Sequence, residues 1–307
     1  MNLSAWRYRG ILMRDGGPIA EIGTRECIFL DDDPSLILAG FEASATLQPS
    51  LKPEHFSVNQ LYSNCDGSGW ARFQHEAIYK AISESLERWA FYATSDSSKR
   101  STHGFDMDPS TNGMAAYPGI THRRAQKTAR LEAIERWSLC QWWMGRCGAL
   151  QLRPECLPAG VDGFEILSPW RGTRIVVLYS NSPLTLRSYG FAAENTLSEA
   201  IRHARVEQLR NAAVLSAHTE KLKEAKCSIE VSALYEKRLL YFSSEGFSKF
   251  FERLQASSKN YLCPNKPEVI IDGEIPGPWT HYATVWRYLL DPDGLDGTST
   301  SDEYFLF

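Results

Sequence analysis

AISESLERW at residues 81–89 and ARLEAIERW at residues 129–137 are two copies of one pattern in this chain. Each copy has the form Ala-x-x-Glu-x-x-Glu-Arg-Trp, and each places an aliphatic residue, Leu86 or Ile134, directly before its second glutamate. Residues three apart lie on one face of an α-helix, so each copy predicts a helix with two carboxylates and a guanidinium group side by side. We therefore expect a pair of related acidic helices.

The four glutamates of the two copies predict a cation-binding site. They are Glu84, Glu87, Glu132 and Glu135. If the two helices face each other, four carboxylates gather in one place, and their repulsion favours a cation between them. Magnesium is the natural candidate, because it prefers oxygen ligands and is commonly shared between a few carboxylates and a nucleotide's phosphates. Bridged iron is disfavoured, because the chain lacks the Glu-x-x-His pattern that such sites use.

The composition is that of a globular protein without a strong overall field. The 307 residues are 43% hydrophobic, and 33 basic against 37 acidic residues give a net charge of −4. This balance offers no general attraction for nucleic acid or an anionic membrane, so we expect neither as a partner. An anionic ligand would have to be held locally.

Cysteine usage and the N-terminal sequence favour a cytoplasmic location. The seven cysteines are scattered, odd in number and without a Cys-x-x-Cys pair, which indicates reduced thiols rather than disulfides or a zinc site. The opening MNLSAWRYRGILMRDGG lacks the apolar core of a secretory signal, and no segment predicts a membrane span.

Apolar periodicity and turn residues predict strands and further helices, in an α+β fold of mixed sheets and packed helices. The predicted strands are residues 25–31, 36–47, 164–167, 174–179, 184–191, 269–272 and 282–290. The predicted helices run from just after residue 69 to about 94, and over about 121–147, 196–217 and 247–254. In the first of these helices, Ile82, Leu86 and Trp89 lie in an apolar stripe. The charged residues Glu84, Glu87 and Arg88 point the opposite way.

Three features remain ambiguous when taken alone. Residues 67–69, Gly-Ser-Gly, lack the lysine of a Walker loop, so a turn is favoured over a phosphate loop. Asn112, in the segment Ser-Thr-Asn-Gly, indicates a turn. In the third long helix Glu207 follows Ala204 in the register of the two copies, and it either binds metal or forms a surface ion pair with Arg210.

Taken together, these residues resemble the YcaO family. The shared features are Gly-x-Gly before a helix with Glu-x-x-Glu-Arg, then Ser-Thr-Asn-Gly, a second such helix, and a third helix with a lone glutamate. They occur in order over residues 67–210, and the likeness continues more weakly to the final strands. The resemblance implies one domain over 1–307, with strands in 1–66, a nucleotide-binding core in 67–218, a helical and strand part in 219–290 and a tail in 291–307.

The resemblance also implies a site. Magnesium would be bound by Glu84, Glu87, Glu132, Glu135 and Glu207. ATP and its phosphates would be bound by Lys80, Arg88, Thr111, Asn112, Arg136 and Arg210. The residue that takes a proton in the reaction is not identified.

The chain departs from the family's usual pattern in several places. Lys80 stands where members often have serine, Ser68 where they often have lysine, and Arg210 where they usually have glutamine. The stretch over residues 89–109, before Ser-Thr-Asn-Gly, is shorter than usual. Azoline-forming members tend to end in a proline-rich segment, whereas the last proline here is Pro292.

Family members use ATP to activate a backbone amide of a ribosomally made peptide, and in many a Cys, Ser or Thr side chain attacks that amide to give an azoline. The resemblance implies such an ATP- and Mg²⁺-dependent cyclodehydratase, as found in bacteriocin biosynthesis. Two alternatives stay open, a thioamide-forming enzyme that uses external sulfur and a scaffold subunit that has lost catalysis. The expected partners are a precursor peptide and a separate leader-peptide recognition protein, and a homodimer is left open.

Overall fold

The structure is a computed structural model that describes residues 6–29, 38–53, 65–119, 121–180, 187–225, 241–258 and 263–291. These residues form ten strands and four α-helices, so the α+β class is confirmed. The helices are α1 (Gln74–Ser95), α2 (Arg123–Trp143), α3 (Leu197–Ala225) and α4 (Phe247–Ser257), the last preceded by a π-helical turn (Phe242–Gly246). In this part of the chain we find no helix that combines the length and apolarity needed to cross a membrane.

The strands form three antiparallel sheets. The first sheet has the order β1 (Ile19–Phe29), β2 (Leu38–Leu47), β3 (Gly67–Ala71). The second has β4 (Met114–Tyr117), β10 (Thr284–Leu290), β9 (Val269–Glu274). The third has β5 (Ala149–Gln151), β6 (Val161–Ile166), β7 (Arg174–Ser180), β8 (Tyr189–Glu194). Helix α1 packs on the first sheet, α3 on the third, and both α1 and α2 contact the second.

Helices α1 and α2 bury their apolar sides in different cores. Ile82 and Leu86 of α1 pack with residues of the first sheet, as the predicted apolar stripe requires. Ile134 and Trp137 of α2 pack with the third sheet and α4. Because each apolar side has its own core, the acidic sides of the two helices are left to meet between them.

Several strands differ from their predicted bounds. β1 begins at Ile19, well before the predicted start at residue 25, because it pairs with β2 along its whole length. The short strands β4 and β5 were not predicted, and β8 begins only at Tyr189. Residues 181–186, within or beside the predicted strand 184–191, lie outside the described residues, as does the predicted tail beyond Asp291.

The turn favoured for residues 67–69 was wrong, since these residues belong to β3. A Cβ atom on Gly67 would lie 2.1 Å from the carbonyl oxygen of Ala81 in α1, and one on Gly69 would lie 2.3 Å from that of Ala77. Both distances are far shorter than van der Waals contact. The two glycines therefore allow a strand to lie directly against a helix.

Strand β8 approaches α3 in the same way. A Cβ atom on Gly190 would lie 2.2 Å from the carbonyl oxygen of Ala204. In the contacts Gly67–Ala81 and Gly190–Ala204, the alanine follows the strand glycine by 14 positions in the chain. A glutamate, Glu84 or Glu207, stands three positions after that alanine. Ala81 and Ala204 are thus the helix residues that the strand glycines approach. This shared contact explains why the spacing from alanine to glutamate recurs in α3.

Gly67→Ala and Gly190→Ala are each expected to destabilise the protein by about 3 kcal/mol, because the added methyl group meets backbone that cannot move aside cheaply. Denaturant unfolding measures the effect. Gly273→Ala is the matched control, since nothing lies within 4 Å of its added Cβ atom. If all three variants were equally stable, the close strand–helix contacts would be incorrect.

Candidate functional site

Five carboxylates from three helices lie close enough to affect one another's charge. The pKa of Glu87 on α1 is raised well above its ordinary value by burial and then by the charge of Glu132 on α2. Glu84 adds to the effect at both of these acids. On α2, the pKa of Glu135 is raised by burial and then by the charge of Glu207 on α3. Charge interactions thus connect the five glutamates, and their role as metal ligands stays a prediction.

Backbone amides of neighbouring strands hold three of these acids in place. The N–H group of Ser68 in β3 donates to Oε2 of Glu84 at 2.8 Å, and its hydroxyl group lies 3.2 Å from the same atom. In β8, Phe191 N donates to Glu207 at 3.1 Å and Ala193 N donates to Glu135 at 2.8 Å. The strand–helix contacts described above therefore orient the carboxylates.

Burial is the largest cause of the raised pKa values. It raises the pKa of Glu132 to about 7 and that of Glu135 to about 8, although the charge of Arg136 opposes the shift at both. The pKa of Glu207 is raised for the same reason. The side chains of Glu132 and Glu135 nevertheless stay 27% and 13% exposed. A cation bound at these carboxylates would have to displace their protons, and its charge would then stabilise the ionised form.

The five glutamates form what we call the acid cluster. Arginines within this cluster offset part of its negative charge. Nε of Arg136 lies 3.9 Å from Glu132 and 3.8 Å from Glu135, and its guanidinium group lies over the ring of Phe191 at 4.8 Å. Burial alone would lower the pKa of Arg88, but the negative charges of Glu84 and Glu87 outweigh it. Two of the three predicted phosphate-binding arginines, Arg88 and Arg136, thus lie among the acids.

A further arginine, Arg287 of β10, was missed by the sequence analysis. Its side chain is fully buried and donates to the carbonyl oxygens of Ser110 at 2.6 Å and Asp108 at 2.9 Å. Burial lowers its pKa, while the charges of Asp108, Glu132 and Glu87 oppose that shift. The available signal was an arginine in the middle of the apolar strand TVWRYLL.

The Ser-Thr-Asn-Gly segment forms a turn beside α2. Met114 N donates to the carbonyl oxygen of Thr111, and Gly113 has a positive φ of 68°. A Cβ atom on Gly113 would lie 3.1 Å from Cβ of Ala133, the residue after Glu132. The side chains of Thr111 and Asn112 are partly exposed there, and their contact with phosphates remains a prediction.

Three basic residues, Lys80, Arg202 and Arg210, form a cationic rim between α1 and α3. Arg210 donates to Ser68 Oγ at 2.7 Å and lies 3.7 Å from Glu42. Lys80 donates to the carbonyl oxygen of Trp70 at 2.9 Å. Burial of its amino group lowers the pKa of Lys80, and the positive charge of Arg202 lowers it further, although the residue as a whole is exposed. Like charges placed together favour binding of an anion.

The donor set suits magnesium shared with a phosphate rather than a metal held by protein alone. Among the side chains that the structure describes, no three Asp, Glu, His or Cys residues form a ready-made metal cage. Mg²⁺ commonly takes one or two carboxylates together with waters and phosphate oxygens. Carboxylates beside a cationic rim are the residue types that such a site uses.

No family model and no curated protein sequence matches this chain. Its fold, however, is similar to that of solved structures of the E. coli microcin synthetase McbBCD complex. One aligns with a TM-score of 0.51 and 11% identity over 86% of each chain. Another, with pro-MccB17 bound, aligns with a TM-score of 0.52 and 13% identity, also over 86% of each chain. At these identities the similarity establishes a shared fold alone.

Proposed function

We propose that this chain is an ATP- and Mg²⁺-dependent enzyme that activates backbone amides of ribosomally made peptides, with cyclodehydration of Cys, Ser or Thr to azolines as its reaction. The observation that carries the proposal is the gathering of five carboxylates from three helices, with several raised pKa values, next to arginines and a cationic rim. The similarity of fold to a chain of a microcin synthetase supports a role of this kind.

In the proposed complex, each group of side chains has a separate task. Magnesium would be held by Glu84, Glu87, Glu132, Glu135 and Glu207. The triphosphate would be held by Lys80, Arg88, Thr111, Asn112, Arg136 and Arg210. ATP supplies the phosphoryl group that turns the amide oxygen into a leaving group.

These residue types fit the chemistry. Phosphoryl transfer requires the protein mainly to position the reactants and to neutralise charge, with little covalent participation. The side-chain sulfur or oxygen of the peptide loses its proton and bonds to the amide carbon. The amide oxygen, once phosphorylated, leaves as phosphate while the amide nitrogen loses its proton and forms the C=N bond of the azoline. The peptide loses one water in total, and ATP becomes ADP and phosphate.

Two measurements test this function. Isothermal titration calorimetry with Mg²⁺ and a non-hydrolysable ATP analogue should show binding. Mass spectrometry of synthetic peptides with internal Cys, Ser and Thr, incubated with the protein, ATP and Mg²⁺, should show loss of one water. Exchange of oxygen for sulfur, when sulfide is supplied, would replace the azoline reaction with thioamide formation. No nucleotide binding together with unchanged peptide mass would reject the enzyme and favour the scaffold.

The partners follow from the substrate. We propose that a precursor peptide is delivered in the cytoplasm by a separate recognition protein. The similar fold occurs within a synthetase complex that has been solved with pro-MccB17 bound, which supports an assembly of several proteins.

A further inference from the structure

A histidine–glutamate pair lies beside the acid cluster and has no task in the proposed site. Nδ1 of His203 lies 2.7 Å from Oε1 of Glu194, and Nε2 lies 2.7 Å from a terminal nitrogen of Arg202. A guanidinium group can only donate, so Nε2 accepts and the imidazole proton lies on Nδ1, which donates to Glu194. This hydrogen bond lowers the pKa of Glu194. The pair therefore places a carboxylate at Nδ1 and leaves Nε2 as the nitrogen that can accept a proton.

The pair is built on the same elements as the acid cluster. Glu194 is the last residue of β8 and directly follows Ala193, whose N–H group holds Glu135. His203 lies one helical turn before Glu207 on α3. The His203 side chain is 41% exposed, so the imidazole is open to solvent on the side of the helix that carries the pair.

We propose that His203 is the proton acceptor of the reaction, that Glu194 orients it, and that Arg202 covers Nε2 until a phosphate group binds. This inference rests on the proposed function and names the base that the sequence did not identify. Nε2 of His203 takes the proton of the attacking thiol or hydroxyl group as its sulfur or oxygen bonds to the amide carbon. The carbonyl π pair moves to the amide oxygen, which takes the γ-phosphoryl group of ATP and releases ADP. The imidazolium ion that forms is stabilised by Glu194.

Arg202 connects this pair to the cationic rim. The positive charge of Arg202 lowers the pKa of Lys80, and the positive charge of Arg210 lowers it as well. A phosphate in the rim would compete with Nε2 for the Arg202 guanidinium group, because charge-assisted hydrogen bonds are stronger than those to a neutral imidazole. From α2, Lys127 also faces the pair and further lowers the pKa of Glu194. Nucleotide binding is thus expected to uncover Nε2.

NMR of ¹⁵N-histidine-labelled protein tests the pair directly, with His203 assigned through the His203→Asn variant. We expect a proton on Nδ1 and none on Nε2 near neutral pH. The Nε2 resonance should move in Arg202→Met without nucleotide, and in the parent protein when Mg²⁺ and a non-hydrolysable ATP analogue bind. A proton on Nε2 instead of Nδ1, or an Nε2 resonance at the same position in Arg202→Met as in the parent protein, would overturn the proposal. The tautomer and the response to Arg202→Met are measured without nucleotide, whereas a parent protein that binds no analogue counts against the proposed function.

Activity gives a second test. With synthetic peptides containing internal Cys, Ser and Thr, His203→Asn is expected to slow water loss by about 100- to 10,000-fold while analogue affinity changes by less than about twofold. Glu194→Gln should slow it less. His281→Asn is the control, because His281 is exposed in the Pro278–His281 turn. An unchanged rate in His203→Asn, or a matching loss of analogue affinity, would show that His203 is not the base.

Discussion

Glu135→Gln is expected to stabilise the nucleotide-free protein above about pH 8 and to weaken binding of Mg²⁺ and ATP on the order of 100-fold. Burial raises the pKa of Glu135 to about 8, the charges of Glu207 and Glu132 add to the shift, and Arg136 opposes it. A glutamine oxygen can still accept the N–H group of Ala193, so the contact with β8 is kept. The carboxylate is therefore unfavourable without a bound cation, and the proposed binding of magnesium would offset this cost.

The direction of the pH dependence follows from proton binding. The Glu135 carboxyl group titrates near 4.5 in an unfolded chain and near 8 in the folded protein. Between these values the folded state binds more protons, so stability falls as the pH rises through this window and is level above it. Glu135→Gln removes that fall. The two proteins should differ little near pH 4.5 and by up to about 5 kcal/mol well above pH 8.

Chemical denaturation at several pH values, without divalent cations, measures the stability difference, and calorimetry with Mg²⁺ and an ATP analogue measures binding. Glu252→Gln, at an exposed position of α4, is the matched control and should change neither quantity. A Glu135→Gln variant less stable than the parent at high pH would contradict the raised pKa of Glu135. Unchanged nucleotide affinity would contradict the metal-binding role.

Arg287→Met is expected to destabilise the folded protein by about 3 to 5 kcal/mol, the range typical of breaking a buried ion pair. Arg287 is 0% exposed, and its side chain lies 3.4 Å from the carboxylate of Asp108 and over the ring of Phe105 at 4.4 Å. Methionine fills similar space but removes the positive charge that acts on Asp108, Glu132 and Glu87. Denaturant unfolding of the full chain measures the loss.

Arg287→Lys should recover part of this stability, because lysine keeps the charge but cannot reproduce the planar fork that holds two carbonyl groups. Arg171→Met, at an exposed position, is the control and should have a small effect. Stability equal to the parent in Arg287→Met would mean that this buried cation does not support the acid cluster.

The sequence predicted the acidic helices well, because their pattern is local. Ile82 and Leu86 are buried on one side of α1, as the 3.6-residue period requires, and Glu84 and Glu87 lie on another. The start of the third long helix is local in the same way, since Glu199 N donates to the hydroxyl oxygen of Thr196. Each of these features depends only on residues within one or two helical turns.

The predictions from sequence were wrong or incomplete where contacts between distant segments decide the structure. Residues 67–69 resemble a turn locally, but β3 pairs with β2 in the register Gly67↔Ala45 and Gly69↔Ala43 and packs against α1. Local propensity is a weak guide for such strands, because pairing and packing override it. Arg287 was missed for the same reason, since its partner Asp108 is distant in the chain.

By itself, the sequence determined which residues carry charge and on which side of each helix they lie, because helical periodicity alone fixes those positions. Only the tertiary structure decided that the charge of Glu132 acts on Glu87, that the charge of Glu207 acts on Glu135, and that burial raises the pKa values of Glu87 and Glu135. It also decided that Glu194 and His203 are paired. Burial and charge interactions depend on distances between segments far apart in the chain, and those distances exist only after the sheets and helices have packed.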